Sequence, residues 1–199
     1  MLVCFERLII LLFCGYLNHK VMISPNYNNE MGSRKTDKPY IGGEVYNVNI
    51  SRLLQTFLLS ILVVYNSYIH HYFFDSYEIL LILTLCIGYW LRIYSFKVLG
   101  HMFTFGLGIR EDHMLVTYGP YQYLIHPGYT GQYMVHYSYW ALLLLEPGLL
   151  SYIFGFLIIY SLIMLKKRVT LEENMMLEKF KEDYIEYKRT RYRFIPYIF

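Results

Sequence analysis

Hydrophobic residues along this chain fall into long runs separated by short polar breaks. "LLQTFLLSILVVYNSYI" (53–69), "YEILLILTLCIGYWLRIYSF" (77–96), "YTGQYMVHYSYWALLLL" (129–145) and "GLLSYIFGFLIIYSLIML" (148–165) each reach or approach the required span length. A helix needs about 20 apolar residues to cross the hydrocarbon core of a bilayer. The pattern therefore predicts four membrane helices. A shorter run, "RLIILLFCGYL" (7–17), reads as a short or tilted fifth span, or as the apolar part of a signal peptide. Glu6 and Arg7 together do not make a basic leader, which favours the span.

Residues 18–50 are rich in Asn, Gly, Pro and Ser and keep no apolar period, so they predict an irregular polar linker. The expected organisation is a short N-terminal apolar helix with its linker (1–50) and a membrane domain (51–199). The expected fold class is all-α, a multi-span transmembrane helical bundle of four to five spans.

Composition agrees with that class. Of 199 residues, 56% are hydrophobic and 17% charged, with 23 Tyr and 13 Phe, which is too apolar and too charge-poor for an ordinary soluble domain. Nine of the 18 basic residues lie in 166–199, beginning with "KKR" (166–168) directly after the last apolar run. Basic flanks favour the cytosolic side, so the tail is expected to be cytosolic. The tight "LLEPGLL" hairpin between the last two runs then places 97–128 on the same side. Cys4, Cys14 and Cys86 lie in apolar runs without CxxC spacing and read as small buried hydrophobes rather than zinc ligands or a disulfide framework.

The segment "KVLGHMFTFGLGIREDHMLVTYGPYQYLIHPGYTG" (97–131) carries six of the 13 glycines and three histidines, a mixture that predicts a shaped site. Pro120 and Pro127 fix their own φ and push the preceding residues out of helical conformation, so Gly119-Pro120 and His126-Pro127 mark two sharp breaks. "GLG" (106–108) lacks the strand and helix that give a dinucleotide fingerprint its mechanism. Pro127 suits the first turn of the next helix, and the N–H groups of Gly128, Tyr129 and Thr130 are candidates for binding a ligand oxygen. A plain capped membrane helix explains the same feature.

In the tail, Leu177, Phe180, Tyr184 and Tyr187 recur at three- and four-residue steps. They predict a C-terminal amphipathic helix that lies on the membrane surface or folds back over 97–131. Arg168 and Glu172 are one helical turn apart. They are either a surface ion pair of little consequence or a working pair, with Glu172 accepting hydrogen bonds from a ligand and Arg168 gripping a substrate carboxylate. Along the third run, Tyr129, Gln132, Tyr133 and His136 share a face, either lining a lipid-facing site or bonding between helices.

Taken together, "LVTYGPYQYLIHPGYTG", the helical hairpin, "R-x-x-x-E-E" and "EDYIEYKRTRYRFIP" resemble the isoprenylcysteine carboxyl methyltransferase family over roughly residues 90–199. The resemblance implies a multi-pass enzyme of the endoplasmic reticulum membrane with a cytosolic cofactor-binding segment. It implies S-adenosylmethionine as cofactor, and the prenylated C-terminal cysteine of lipidated proteins together with membrane lipid as partners, with no nucleic acid and no metal.

Carried over by motif position, His113, Leu115, Val116, Tyr121, His126, Pro127, Gly128, Tyr129 and Glu172 line the cofactor site. Arg168 is the catalytic, substrate-holding arginine. The implied chemistry is an in-line attack of a carboxylate oxygen on a sulfonium methyl, which needs no general base because that carboxylate is ionised at neutral pH. Two departures stand out: Ile125 replaces the usual Arg before His-Pro, and Phe180-Lys181 replaces a usual Phe-Gly. "GLG" and the paired glutamates also fit a phospholipid N-methyltransferase, and a non-catalytic membrane scaffold is the alternative from another class.

Overall fold

The computed structural model describes residues 2–21, 75–103, 113–143 and 149–196. Among these residues the chain is helical, in the order α1 (Leu2–Lys20), α2 (Ser76–Leu99), α3 (Pro127–Leu143), α4 (Leu149–Phe180) and α5 (Glu182–Arg189). Short 3₁₀ turns occupy Gly100–Met102 and Gly119–Gln122. One helix, Ser76–Met102, is long and apolar enough to cross a membrane among the described residues, and Leu8–Lys20 is a shorter apolar helix. The expected run at 53–69 lies outside the described residues, as does nearly all of the polar linker. Helix α1 continues to Lys20, so the linker does not begin at 18 as its Asn and His suggested.

The chain divides into two compact units, 1–22 with 44–90 and 131–156, and 23–43 with 91–130 and 157–199. In the first, Leu11, Cys14 and Leu17 on one face of α1, with Val21 just after it, pack with Leu85 of α2 and with Val135, Tyr139 and Leu142 of α3. Their three- and four-residue spacing is what keeps each set on one face. Helices α2 and α3 touch at Gly88, where an added Cβ would stand 2.6 Å from Met134 Cβ and 2.8 Å from the Gly131 carbonyl. Small residues of this kind let helix backbones approach closely.

Several polar groups of the first unit are paired. Asp75 and Glu78 form a capping box at the start of α2, with Glu78 N–H donating to Asp75 (2.8 Å) and Asp75 N–H to Glu78 (3.1 Å). His136 hydrogen bonds with Asn18 of α1 and stacks on Trp140, so its interhelical role is the one observed. Cys14 is buried, but Cys86 is exposed and so is not the buried hydrophobe expected. It shares α2 with Leu80, Leu83, Ile87 and Trp90, each more than half exposed.

Helix α4 continues for 32 residues without a break, about 48 Å at 1.5 Å per residue. It ends at Lys181, whose φ of +48° and ψ of −118° place a non-glycine residue in a region that glycine favours. The tail is therefore two helices rather than one amphipathic helix. Leu177 is exposed, while Val169, Glu173, Tyr184 and Tyr187 are buried.

Lys181 stands where the family resemblance expects glycine, which links that departure to local strain. We expect Lys181→Gly to stabilise the protein by about 0.5–2 kcal/mol, the relief of strain less the entropy glycine adds to the unfolded chain. The midpoint of thermal unfolding in detergent should rise, and a fall would contradict the strain.

Candidate functional site

The site begins with two turns whose shape the sequence dictates. Gly119 has φ +62°, and a Cβ there would lie 3.0 Å from Val98 Cγ2, so only glycine fits comfortably. The 3₁₀ turn that follows carries Pro120, and its Leu124 N–H donates to the Pro120 carbonyl at 3.1 Å. His126-Pro127 then starts α3 with Pro127 as its first residue. The Thr130 N–H donates to the His126 carbonyl at 3.1 Å, so it serves the helix rather than a ligand.

The C-terminal segment folds back onto this turn, one of the two arrangements the sequence allowed. Ile125 and His126 N–H groups donate to the carbonyls of Tyr192 (2.8 Å) and Arg193 (3.1 Å), and Tyr192 N–H donates to Tyr123 (3.1 Å). Thr130 Oγ1 donates to the Phe194 carbonyl at 2.8 Å. From α5, Tyr187 Oη donates to the carbonyls of Tyr121 (2.9 Å) and Leu124 (3.3 Å). Ile125 is buried with Tyr184 and Tyr187, against which Leu115, Met176 and Phe180 pack. Burial raises the hydroxyl pKa of Tyr121, Tyr184 and Tyr187, keeping them neutral donors.

On α4, adjacent glutamates point apart because successive helical residues are rotated by about 100°. Glu172 accepts a hydrogen bond from Tyr129 Oη (2.8 Å), and that oxygen accepts one from Arg168 Nε (2.7 Å). Arg168 and Glu172 are therefore joined through a phenol and are not the direct surface pair their spacing suggested. Glu172 Oε1 also lies 4.0 Å from His126 Nδ1, with the Glu172 side chain 40% exposed and that of His126 4%.

Glu173 is the buried member of the pair. Its carboxylate meets His126 Nε2 (3.0 Å), Lys188 Nζ (2.6 Å), and Arg193 through Nε (2.7 Å) and Nη2 (2.8 Å). Burial alone would raise its pKa, yet the hydrogen bonds from His126, Arg193 and Lys188 together hold it well below the ordinary value of 4.5. A carboxylate with a depressed folded-state pKa stabilises the fold fully above its unfolded value and loses that contribution as pH falls through the folded one. The contribution of the hub is therefore present at neutral pH and is lost on acidification.

The structure gathers Arg168, Tyr129 and Glu172 into one hydrogen-bonded line, with His126 Nδ1 close beside it. Pro127 and Gly128 form the turn beneath it, where a Gly128 Cβ would stand 3.1 Å from Arg92 Nη1. The Tyr121 carbonyl accepts a hydrogen bond from Tyr187. Val116 is buried, Leu115 packs on the tyrosine cluster, and His113 sits beside Phe180 at 6.2 Å between ring centroids. These three adjoin the packing around the turn rather than the charged line itself.

Sequence reasoning missed Arg92, Glu173, Lys188 and Arg193. Arg92 is buried, with its guanidinium 4.3 Å from the Phe96 ring centroid, and its charge opposes the rise in Tyr121. An arginine inside an apolar run was itself a signal.

Among the described residues, fold and site define an all-helical protein whose polar residues converge on one His-Pro turn and one glutamate pair. Residues 80–178 match the isoprenylcysteine carboxyl methyltransferase (ICMT) family. Three similar proteins are each named protein-S-isoprenylcysteine O-methyltransferase. That of Schizosaccharomyces pombe is 29% identical over 137 residues, covering 66% of this chain and 55% of its own length. That of Saccharomyces cerevisiae is 32% identical over 123 residues, covering 58% and 47%, and that of Dictyostelium discoideum 30% over 87 residues, covering 44% and 35%. The chain thus spans about half the length of the first two relatives.

The two glutamates should separate in experiment. Glu173→Ala is expected to destabilise the fold by about 3–5 kcal/mol, because it strands buried partners of a broken ionic cluster. Glu172→Ala should cost under about 1 kcal/mol, since that carboxylate is partly solvated. Thermal unfolding of both variants in detergent checks the contrast, and equal losses would contradict it.

Proposed function

We propose that this chain uses S-adenosylmethionine to methylate the C-terminal carboxylate of prenylated cysteine in lipidated proteins. The observation that carries the reading is the Arg168–Tyr129–Glu172 line, a guanidinium and a carboxylate held on either side of one phenol. A carboxylate acceptor suits the first, and the amine and hydroxyls of a nucleoside amino acid suit the second. The donor set fits that cofactor: Glu172 and His126 Nδ1 stand 4.0 Å apart at a partly open edge, and His113, Leu115, Val116, Tyr121, Pro127, Gly128 and Tyr129 would complete its lining.

When bound, the cofactor supplies an electrophilic methyl on a sulfonium sulfur. Arg168 orients the ionised substrate carboxylate, and Glu172 with His126 holds the donor, so proximity and alignment supply most of the rate. Tyr129 fixes Arg168 and Glu172 relative to one another.

The membrane setting follows the same reading. The exposed apolar faces of α2 and α4, including Leu83, Trp90, Phe156 and Ile159, would face lipid, so that a prenyl chain reaches the site from the bilayer. Four to five spans, an N-terminal part at 1–50 beside a membrane methyltransferase domain at 51–199, a cytosolic C-terminus and residence in the endoplasmic reticulum complete the proposal.

Membranes containing the full chain, given methyl-labelled S-adenosylmethionine and N-acetyl-S-farnesylcysteine, should yield base-labile volatile label. Arg168→Ala should lower that yield by about 100-fold or more. Base-stable label in phospholipid head groups would transfer the activity to phospholipid N-methylation and overturn this one.

A further inference from the structure

We propose that Glu173 is a positioning residue that sets the hydrogen on His126 and so turns His126 Nδ1 into a second acceptor, beside Glu172, for the ligand's ammonium group. The proposal rests on the methyl-donor site described above and says how that site recognises the amino acid end of its ligand.

Glu173 Oε1 lies 3.0 Å from His126 Nε2, and an ionised carboxylate only accepts, so Nε2 carries the hydrogen. Lys188 and Arg193 already set two positive charges against the Glu173 carboxylate, and the ring is proposed to be neutral beside it. In the resulting tautomer Nδ1 has a lone pair and no hydrogen.

Ring orientation is fixed as firmly as the tautomer. Phe194 stacks on His126 at 5.6 Å and Tyr129 lies at 5.7 Å on centroids, and the side chain is almost fully buried. The ring cannot turn without breaking the bond to Glu173, so Nδ1 stays directed toward Glu172, 4.0 Å from its Oε1. Two acceptors at that separation suit one ammonium between them, which offers several N–H donors to both.

Glu173→Gln is the discriminating change. Its amide oxygen would be claimed by the charged donors of Lys188 and Arg193, leaving the NH₂ to face His126. The ring would then adopt the other tautomer and present an N–H toward Glu172. The purified full chain is titrated with S-adenosylhomocysteine, which carries the ammonium, and with 5′-methylthioadenosine, which lacks the amino acid portion.

The parent should prefer S-adenosylhomocysteine by about tenfold or more, the size expected for hydrogen bonds to a charged group. Glu173→Gln should lose most of that preference while keeping its affinity for 5′-methylthioadenosine. Equal loss of both ligands would make Glu173 a purely structural residue and overturn the proposal, as would an unchanged preference. A parent that binds neither ligand would defeat the methyl-donor reading itself and this inference with it.

Should Glu173→Gln fail to fold, the native hub is kept and His126 is changed instead. His126→Asn places an amide oxygen near the Nδ1 position and should retain the preference. His126→Gln places its amide near the Nε2 position and should lose it, and the reverse order would overturn the proposal.

Discussion

One buried carboxylate organises the site. Removing Glu173 from water costs several kcal/mol, and only well-placed partners offset that penalty. Its partners come from three separate stretches: His126 in the turn before α3, Lys188 in α5, and Arg193 in the C-terminal segment. Satisfying one charge therefore closes three pieces of chain on α4. Backbone bonds from Ile125 and His126 to Tyr192 and Arg193 follow the same closure. The His-Pro turn is shaped by residues some 60 positions later in the chain.

Helix α4 links this hub to the apolar part of the chain. Its first half is the apolar run that ends at Leu165, and the next two turns carry Arg168, Glu172 and Glu173 on the same rigid rod. A helix is a more exact support than a loop for groups that must align two reactants. Tyr129, at the start of α3, closes the arrangement by bonding both Arg168 and Glu172. The strained backbone at Lys181 then ends the rod and lets α5 turn back, bringing Tyr184, Tyr187 and Lys188 against the turn.

Local features were legible in the sequence and long-range charge pairing was not. Pro127 opens a helix because proline at the first position costs no hydrogen bond, and Gly119 marks a turn because its φ is positive. Apolar runs gave helices because three- and four-residue spacing makes a face. The same spacing misled at Leu177, since periodicity does not reveal a break at a lysine held in a glycine-favoured conformation. Arg168 and Glu172 looked like a direct pair because spacing reports a shared face and not the phenol between them. Glu173 was hidden as one half of a repeated letter, for its three partners lie 47, 15 and 20 residues away.

The account stands on the claim that a methyl-donor nucleoside binds between the His-Pro turn and the glutamate-bearing turn of α4. Ultraviolet cross-linking of methyl-labelled S-adenosylmethionine to the full chain in membranes, followed by mapping of the labelled peptides, tests this directly. Label confined to peptides covering 113–129 and 168–173, and displaced by excess S-adenosylhomocysteine, is the predicted result. Label elsewhere in the chain, or label that excess S-adenosylhomocysteine does not displace, would contradict it.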